Sequence, residues 1–297
     1  MQKQSILYLM RHLAAREPLF VGRSVQVVGA EEGVTALVGN GIHPDLEAHL
    51  QASEYSKAEG IGETLTVPTD VKSILIYPSP LARANETARY MFIGMAKTYA
   101  KNVLGLEDIT SSEAKAILSK KGLHTLARRV FCNNLIETKY KNSNGEPDDG
   151  NELVAQAYEK RVNPSFAGYK WMVQKGFEND PRSEHPKDLA ERALRDIVPK
   201  MLDYAVILAA SHQPNLEVIT AALTGNLGKD ANELWKIAGG GYDMGGGFRL
   251  TVEHDSVSKF TSANLIRTPD SKGTNFEKEI AISLDVLNPY LSIFKSF

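Results

Sequence analysis

The chain has 297 residues, 42% of them apolar and 24% charged, with a formal net charge of -2. Those values are ordinary for a soluble globular protein with room for one large domain, or a core plus an inserted cap. They exclude a bulk field that would draw the protein to nucleic acid or to an anionic membrane. A single cysteine, Cys132, excludes an internal disulfide and a thiolate metal centre, and its apolar neighbours mark it as buried and inert.

The first apolar run, Ile6 to Met10, is too short for a signal peptide or a membrane span, so the expected address is the cytoplasm. It reads as a strand buried on both faces, as in a parallel sheet. Val71 to Tyr77 holds a second such run. Ala84, Ala88, Met91, Phe92 and Met95 then fall on one helix face. Thr110-Ser-Ser-Glu113 has the form of a capping box opening a helix through Ile117 and Leu118. Phe131 to Ile136 is a weaker strand candidate. Turn-rich pieces between Tyr140 and Pro186 flank Phe166, Tyr169 and Trp171, which need burial. The stretch from about Lys97 to Pro186 reads as a cap inserted over the working end of the sheet.

Leu189, Ala193, Leu194, Ile197, Val198 and Met201 make an amphipathic stripe, Ala205 to Ala210 a third strand, Leu216, Ile219 and Leu223 another helix face, and Phe248 to Val252 a fourth strand. Phe276 to Leu284 is a last helix candidate, followed by apolar residues suited to docking on the body or on a twin subunit in a homodimer. Strands alternating with helices predict an α/β fold, a three-layer α/β/α sandwich with a mostly parallel central sheet. It forms one domain over 1–297, with the helical cap at about 97–186 within it.

The residues at the strand ends are informative. Arg11 and His12 come after the first strand, Ser79-Pro-Leu-Ala-Arg83 after the second, and Ser211-His212-Gln213-Pro214 after the third. In a parallel sheet the carboxyl ends share one edge, where ligands bind, so two arginines and two histidines are expected in one cleft. Ser79 is expected as a helix N-cap with Pro80 at the first helical position, and Pro214 in the same role as Pro80. Helix N-termini and two guanidinium groups together suit a phosphate dianion without a metal.

Leu9-Met-Arg-His12, Ser79-Pro-Leu-Ala-Arg-Ala-Asn-Glu-Thr-Ala88 and Ala210-Ser-His212 resemble, in order and separation, the motifs of the histidine phosphatase superfamily, the phosphoglycerate mutase-like fold. The resemblance runs to about Leu223. It implies that His12 is a nucleophile forming a phosphohistidine, that Arg11 and Arg83 bind the phosphoryl group, and that His212 is the second pocket histidine. It implies a general acid in a segment like Leu-x-Glu, which Leu135-Ile-Glu137 matches. Glu137 is the expected acid, with Glu152 and Asp148 as alternatives.

The chain departs from the family where Leu13 replaces the glycine after the nucleophile. Ala15 and Pro18 stand where hydroxyl and amide residues are usual. Arg23 is a candidate for the missing phosphate contact, and Gln213 for a backbone N–H aimed at the phosphate. The expected activity is metal-independent hydrolysis of a small phosphorylated substrate, with no cofactor and no nucleic acid or membrane partner. A mutase-like phosphoryl transferase and a non-catalytic phospholigand-binding protein, which Leu13 favours, are the alternatives. Tyr140, Tyr158 and Trp171 serve either the cap core or an organic leaving group. Gly239-Gly-Gly-Tyr-Asp-Met-Gly-Gly-Gly247 comes after a helix and precedes a strand, the reverse of a dinucleotide fingerprint, and reads as a flexible loop bordering the phosphate pocket. His43, Asp45, Glu47 and His49 lack the spacing that brings two histidines to one helix face for a metal.

Overall fold

The computed structural model describes residues 3–13, 18–21, 24–27, 35–37, 50, 52–120, 127–135, 139–148, 151–160, 165–228, 230–255, 259–268 and 279–292. Arg23, Glu137 and the His43–His49 group lie outside them, as do the side chains of Asp148 and Tyr158.

In chain order the strands are β1 (Lys3–Arg11), β2 (Pro18–Val21), β3 (Ser24–Val27), β4 (Thr35–Leu37), β5 (Ile74–Ile76), β6 (Ala127–Arg129), β7 (Tyr140–Lys141), β8 (Pro147–Asp148), β9 (Val206–Ser211), β10 (Gly247–His254), β11 (Phe260–Thr268) and β12 (Ile280–Ala281). The helices are α1 (Ala52–Thr64), α2 (Ala82–Leu104), α3 (Ser111–Lys120), α4 (Asn151–Glu159), α5 (Ser165–Phe177), α6 (Pro186–Lys200), α7 (Asn215–Leu223), α8 (Ala231–Ile237) and α9 (Leu284–Ser292). The central sheet runs β12-β11-β10-β1-β9-β5-β6, while β2, β3 and β4 form a small antiparallel sheet of their own.

The central sheet is mixed, which corrects the expectation of a mostly parallel one. β1, β9, β5 and β6 are parallel, but β10, β11 and β12 pair antiparallel. The reason lies in the side-chain pattern. β1 from Ser5 onward and the whole of β9 are continuously buried, whereas buried and half-buried residues alternate along most of β10, a period-two pattern characteristic of an antiparallel strand with one covered face. Gly247 begins β10 because any Cβ there would lie 2.1 Å from the Leu9 carbonyl oxygen.

Alternation along β1 and β9 divides the core. Ile6, Tyr8, Met10, Val206, Leu208 and Ala210 pack with the α1 and α2 side chains Ala58, Met91 and Met95. Leu7, Leu9, Ile207 and Ala209 enter a second cluster with Leu194, Val198, Leu216, Leu234 and Leu287. Each fully buried aliphatic side chain contributes about 1.5–3 kcal/mol, so these two clusters hold the sheet that carries the site.

Several local expectations change. The capping box is present: Thr110 N donates to Glu113 Oε2 at 2.8 Å and Glu113 N to Thr110 Oγ1 at 3.2 Å. The strand expected over Phe131–Ile136 lies earlier, at β6, and Asn133–Leu135 is a single tight helical turn. Ser79 is not a helix N-cap: α2 starts three residues later, with Leu81 at its cap, and Pro214 is the residue before α7 rather than its first. Of the helix expected over Phe276–Leu284, residues 276–278 lie outside the described residues and 279–284 carry strand β12 and the start of helix α9 instead; Leu287 and Leu291 of α9 dock in the protein's own core. The 97–186 segment begins inside α2 and carries α3 to α5 and β6 to β8. Tyr140, Leu153 and Met172 form a small core there, packed by Tyr169 and Trp171. Lys160 and Lys175 stand over the Trp171 ring at 5.5 and 5.2 Å. The burial of Tyr140 and the lysine pair over Trp171 favour a role for these two aromatics in the small core of this segment. Among the described residues, no helix is long and apolar enough to cross a membrane.

Candidate active site

The carboxyl ends of β1, β5 and β9 meet at one edge, and backbone bonds fix the loops that leave them. His12 N donates to the Ser211 carbonyl at 3.0 Å, and Ser79 N to the Ala210 carbonyl at 2.8 Å. These contacts draw together the residues after each strand. The His12 and His212 rings are 5.0 Å apart between centroids, inclined at 52°.

His12 is oriented by its own backbone. Its Nδ1 lies 2.7 Å from the Leu13 carbonyl oxygen. A carbonyl only accepts, so the proton sits on Nδ1, and Nε2 keeps its lone pair. The pKa of His12 is pushed down to about 3, chiefly by burial, then by the charge of Arg83, with a smaller push from Arg11; the Leu13 carbonyl opposes these. The ring is therefore neutral at physiological pH, the state in which a nitrogen can attack. His212 is also held well below the ordinary range by burial and by His12, Arg83 and Arg11. Its Nε2 is 2.9 Å from Ser79 Oγ, a hydroxyl that also accepts from Leu81 N at 3.4 Å.

Arg11 is nearly buried. Its Nη1 donates to the Tyr242 carbonyl at 2.8 Å, and its Nε is buried with no hydrogen-bond partner among the described residues. A buried, unsatisfied guanidinium donor is costly, and an anion in the pocket would relieve that cost. Arg83 is half-buried in the first turn of α2. Thr87, one turn later in the same motif, donates from Oγ1 to the Arg83 carbonyl at 2.8 Å and accepts from Leu13 N at 3.1 Å, so it ties the arginine's turn to the residue after His12.

Leu13 packs into the core. It is fully buried in the α1/α2 core cluster, beside Gly245, where an added Cβ would come within 2.9 Å of Leu13 Cδ2. Leu13 also lies outside the positive-φ region that requires glycine. A glycine on the facing loop makes the room that the leucine takes.

That loop is tied down, which corrects its reading as flexible. Gly245 N donates to the Arg11 carbonyl at 3.1 Å and Arg11 N to the Gly246 carbonyl at 2.7 Å. Arg267 donates to the carbonyls of Ala238, Gly239 and Gly241. The loop borders the pocket through its grip on Arg11.

His12, His212 and Arg11 thus gather at one sheet edge, and the charges of Arg83 and Arg11 act on both histidine rings. The Gln213 side chain is buried and turned inward, donating to Glu217 Oε1 at 3.1 Å. Glu152, the alternative acid, is engaged in structure, accepting from Ser143 N at 2.7 Å and lying 3.6 Å from Arg182. Cys132 is buried, and its thiol, 3.1 Å from Asp196 and pushed far up by burial, is inert. Sequence alone does not single out Thr87, Tyr242 and Glu217 for the site, nor Ser79 as a partner of His212. Thr87 sits within the quoted Ser79–Ala88 motif, but its contacts appear only in the fold; Tyr242 contacts Arg11 through its backbone, which no side-chain pattern reports.

Solved phosphatases are among the structures the chain resembles. The native mycobacterial glucosyl-3-phosphoglycerate phosphatase matches with a TM-score of 0.46 and 16% identity, over 97% of this chain and 99% of that one. A structure described as mycobacterial hydrolase 2 matches at 0.46 and 16%, over 98% and 97%. The complex of the first enzyme with inorganic phosphate matches at 0.42 and 16%, over 84% and 89%. No protein-family model matches the chain and no curated protein matches it.

The two neutral histidines have a consequence for stability. In the unfolded chain imidazole titrates near about 6.5, so the unfolded state binds more protons than the folded one as pH falls below that value. Stability is complete above this range and declines below it, at up to about 1.4 kcal/mol per pH unit for each group, until the folded ring itself titrates. Denaturant midpoints measured from pH 8 to pH 4 (a range of about four units) should fall, and more gently in His12→Ala, which lacks one of the two protons. An unchanged slope in that variant would show that His12 is not held neutral.

Proposed function

We propose that the protein is a phosphomonoester hydrolase of the histidine phosphatase type, with the three-layer phosphoglycerate mutase-like architecture, acting through a phosphohistidine on Nε2 of His12. The observation that carries this reading is the Nδ1 bond of a neutral His12 to the Leu13 carbonyl, within reach of the charges of Arg83 and Arg11. It aims a nucleophilic lone pair where a phosphate would be held.

In this reading Nε2 attacks phosphorus in line, the bond to the leaving oxygen breaks, and that oxygen takes a proton from Glu137. Positive charge on the phosphorylated ring is shared with the Leu13 carbonyl through Nδ1–H. Water then attacks phosphorus, its proton passes to Glu137, and the N–P bond breaks to restore His12. Arg11 and Arg83 stabilise the equatorial oxygens, and His212, oriented by Ser79, donates to one of them. The backbone of Gln213 and the side chain of Arg23 are proposed phosphate contacts. Glu137 is proposed as the acid because Leu135, two positions before it, is anchored at the site: its carbonyl accepts from Ser211 Oγ at 2.9 Å and from Asn215 Nδ2 at 3.3 Å. The 97–186 segment is proposed to wall the substrate side of the pocket. The buried packing of Leu13 supports turnover over binding alone.

Guanidinium groups supply here the positive charge that other phosphatases take from metal ions, so p-nitrophenyl phosphate should be hydrolysed at the same rate with and without EDTA. Loss of turnover in EDTA, restored by a divalent ion, would replace this mechanism with a metal-dependent one.

A further inference from the structure

Glu217 lies in the first turn of α7 with no exposed surface. An acid so placed is unfavourable, and burial pushes its pKa up against the pull of the Tyr242 N–H, Arg11 and Gln213. Its contacts indicate what it does. Oε1 accepts from Gln213 Nε2 at 3.1 Å and from Tyr242 N at 2.9 Å, and the carbonyl of the same Tyr242 accepts from Arg11 Nη1 at 2.8 Å. One oxygen therefore joins the residue after His212 to the loop that grips Arg11. Thr220, one turn along α7, meets the Tyr242 hydroxyl at 2.8 Å and fixes the other end of the residue. Glu217 Oε2 has no hydrogen-bond partner among the described residues, so the work falls on Oε1.

We propose that Glu217 is a positioning residue: through Oε1 it holds the Tyr242 peptide, and so Arg11, at the angle that presents the guanidinium to phosphate. The proposal rests on the phosphatase reading. It requires an acceptor at that point, which glutamine supplies, methionine of similar volume does not, and aspartate places one methylene short.

Inorganic phosphate is the probe, its affinity read from inhibition of p-nitrophenyl phosphate hydrolysis and directly by calorimetry. Glu217→Gln should keep phosphate affinity within about threefold of wild type, whereas Glu217→Met and Glu217→Asp should each weaken it about tenfold or more. Adding Glu217→Met to Arg11→Ala should weaken binding no further, because the brace acts through the arginine. A merely structural role would lower the unfolding temperature without this coupling. Folded Met or Asp variants with wild-type affinity, losses that add to Arg11→Ala, or a Gln variant as weak as Met would each overturn the proposal. If the Met variant does not fold, the Asp and Gln pair decides alone. A wild type that neither binds phosphate nor turns over removes the phosphatase reading and this proposal with it; an active wild type with unaffected variants removes only this proposal.

Discussion

His12→Ala should lower turnover of p-nitrophenyl phosphate by about 10⁴-fold or more, because a nucleophile that forms a covalent intermediate has no substitute nearby. His212 is the adjacent imidazole, but its Nε2 is engaged with Ser79. The same substitution should leave the protein folded, since His12 is half-buried at the pocket and contributes its Nδ1 bond only to its own neighbour. Wild-type protein quenched in alkali during turnover should carry phosphate on the peptide containing His12, and the variant none. Turnover that survives in His12→Ala would end the phosphohistidine mechanism.

Arg11→Ala and Arg83→Ala should each lower kcat/KM by about 10²- to 10³-fold, roughly 2.7–4 kcal/mol, the usual cost of removing one preorganised donor from developing charge. The two should differ in their other effects. Arg11 is nearly buried and tied to Tyr242, so its removal strands the Tyr242 carbonyl and lowers the unfolding temperature as well. Arg83 is half-buried, and its charge depresses the His12 pKa more than that of Arg11 does. Arg83→Ala should therefore move the acid limb of the rate profile upward, toward the ordinary imidazole range. Lysine at either position should restore part of the affinity as a point charge but not the two-pronged contact. Steady-state kinetics with phosphate inhibition across pH reads all of this, and an Arg83→Ala enzyme with wild-type kcat/KM would show that phosphate binds elsewhere.

Much of the candidate site is legible because short motifs sit at strand ends. Arg11-His12 and Ser211-His212 come after continuous apolar runs, and a strand's end fixes where the next side chains emerge. The antiparallel half of the sheet is written in the alternation of β10, a signal that the strand–helix alternation elsewhere in the chain obscures. Ser79 has the residue type of a cap, yet tertiary contact with His212 claims its hydroxyl and the helix begins later.

Three features needed the fold. Leu13 looks disruptive in one dimension; only the arrival of Gly245, more than two hundred residues later, shows where its side chain goes. The glycine run has the composition of a mobile loop, and its rigidity comes from Arg11 and Arg267 reaching its carbonyls from other strands. Glu217 carries no signal of its own in the sequence, and only the packing of α7 buries it against Gln213 and Tyr242. Strand and helix identity, and the chemistry at strand ends, arise from local spacing of apolar and polar groups, which the chain carries by itself. Which polar atom meets which partner depends on closing loops of hundreds of residues, and that only the assembled core decides.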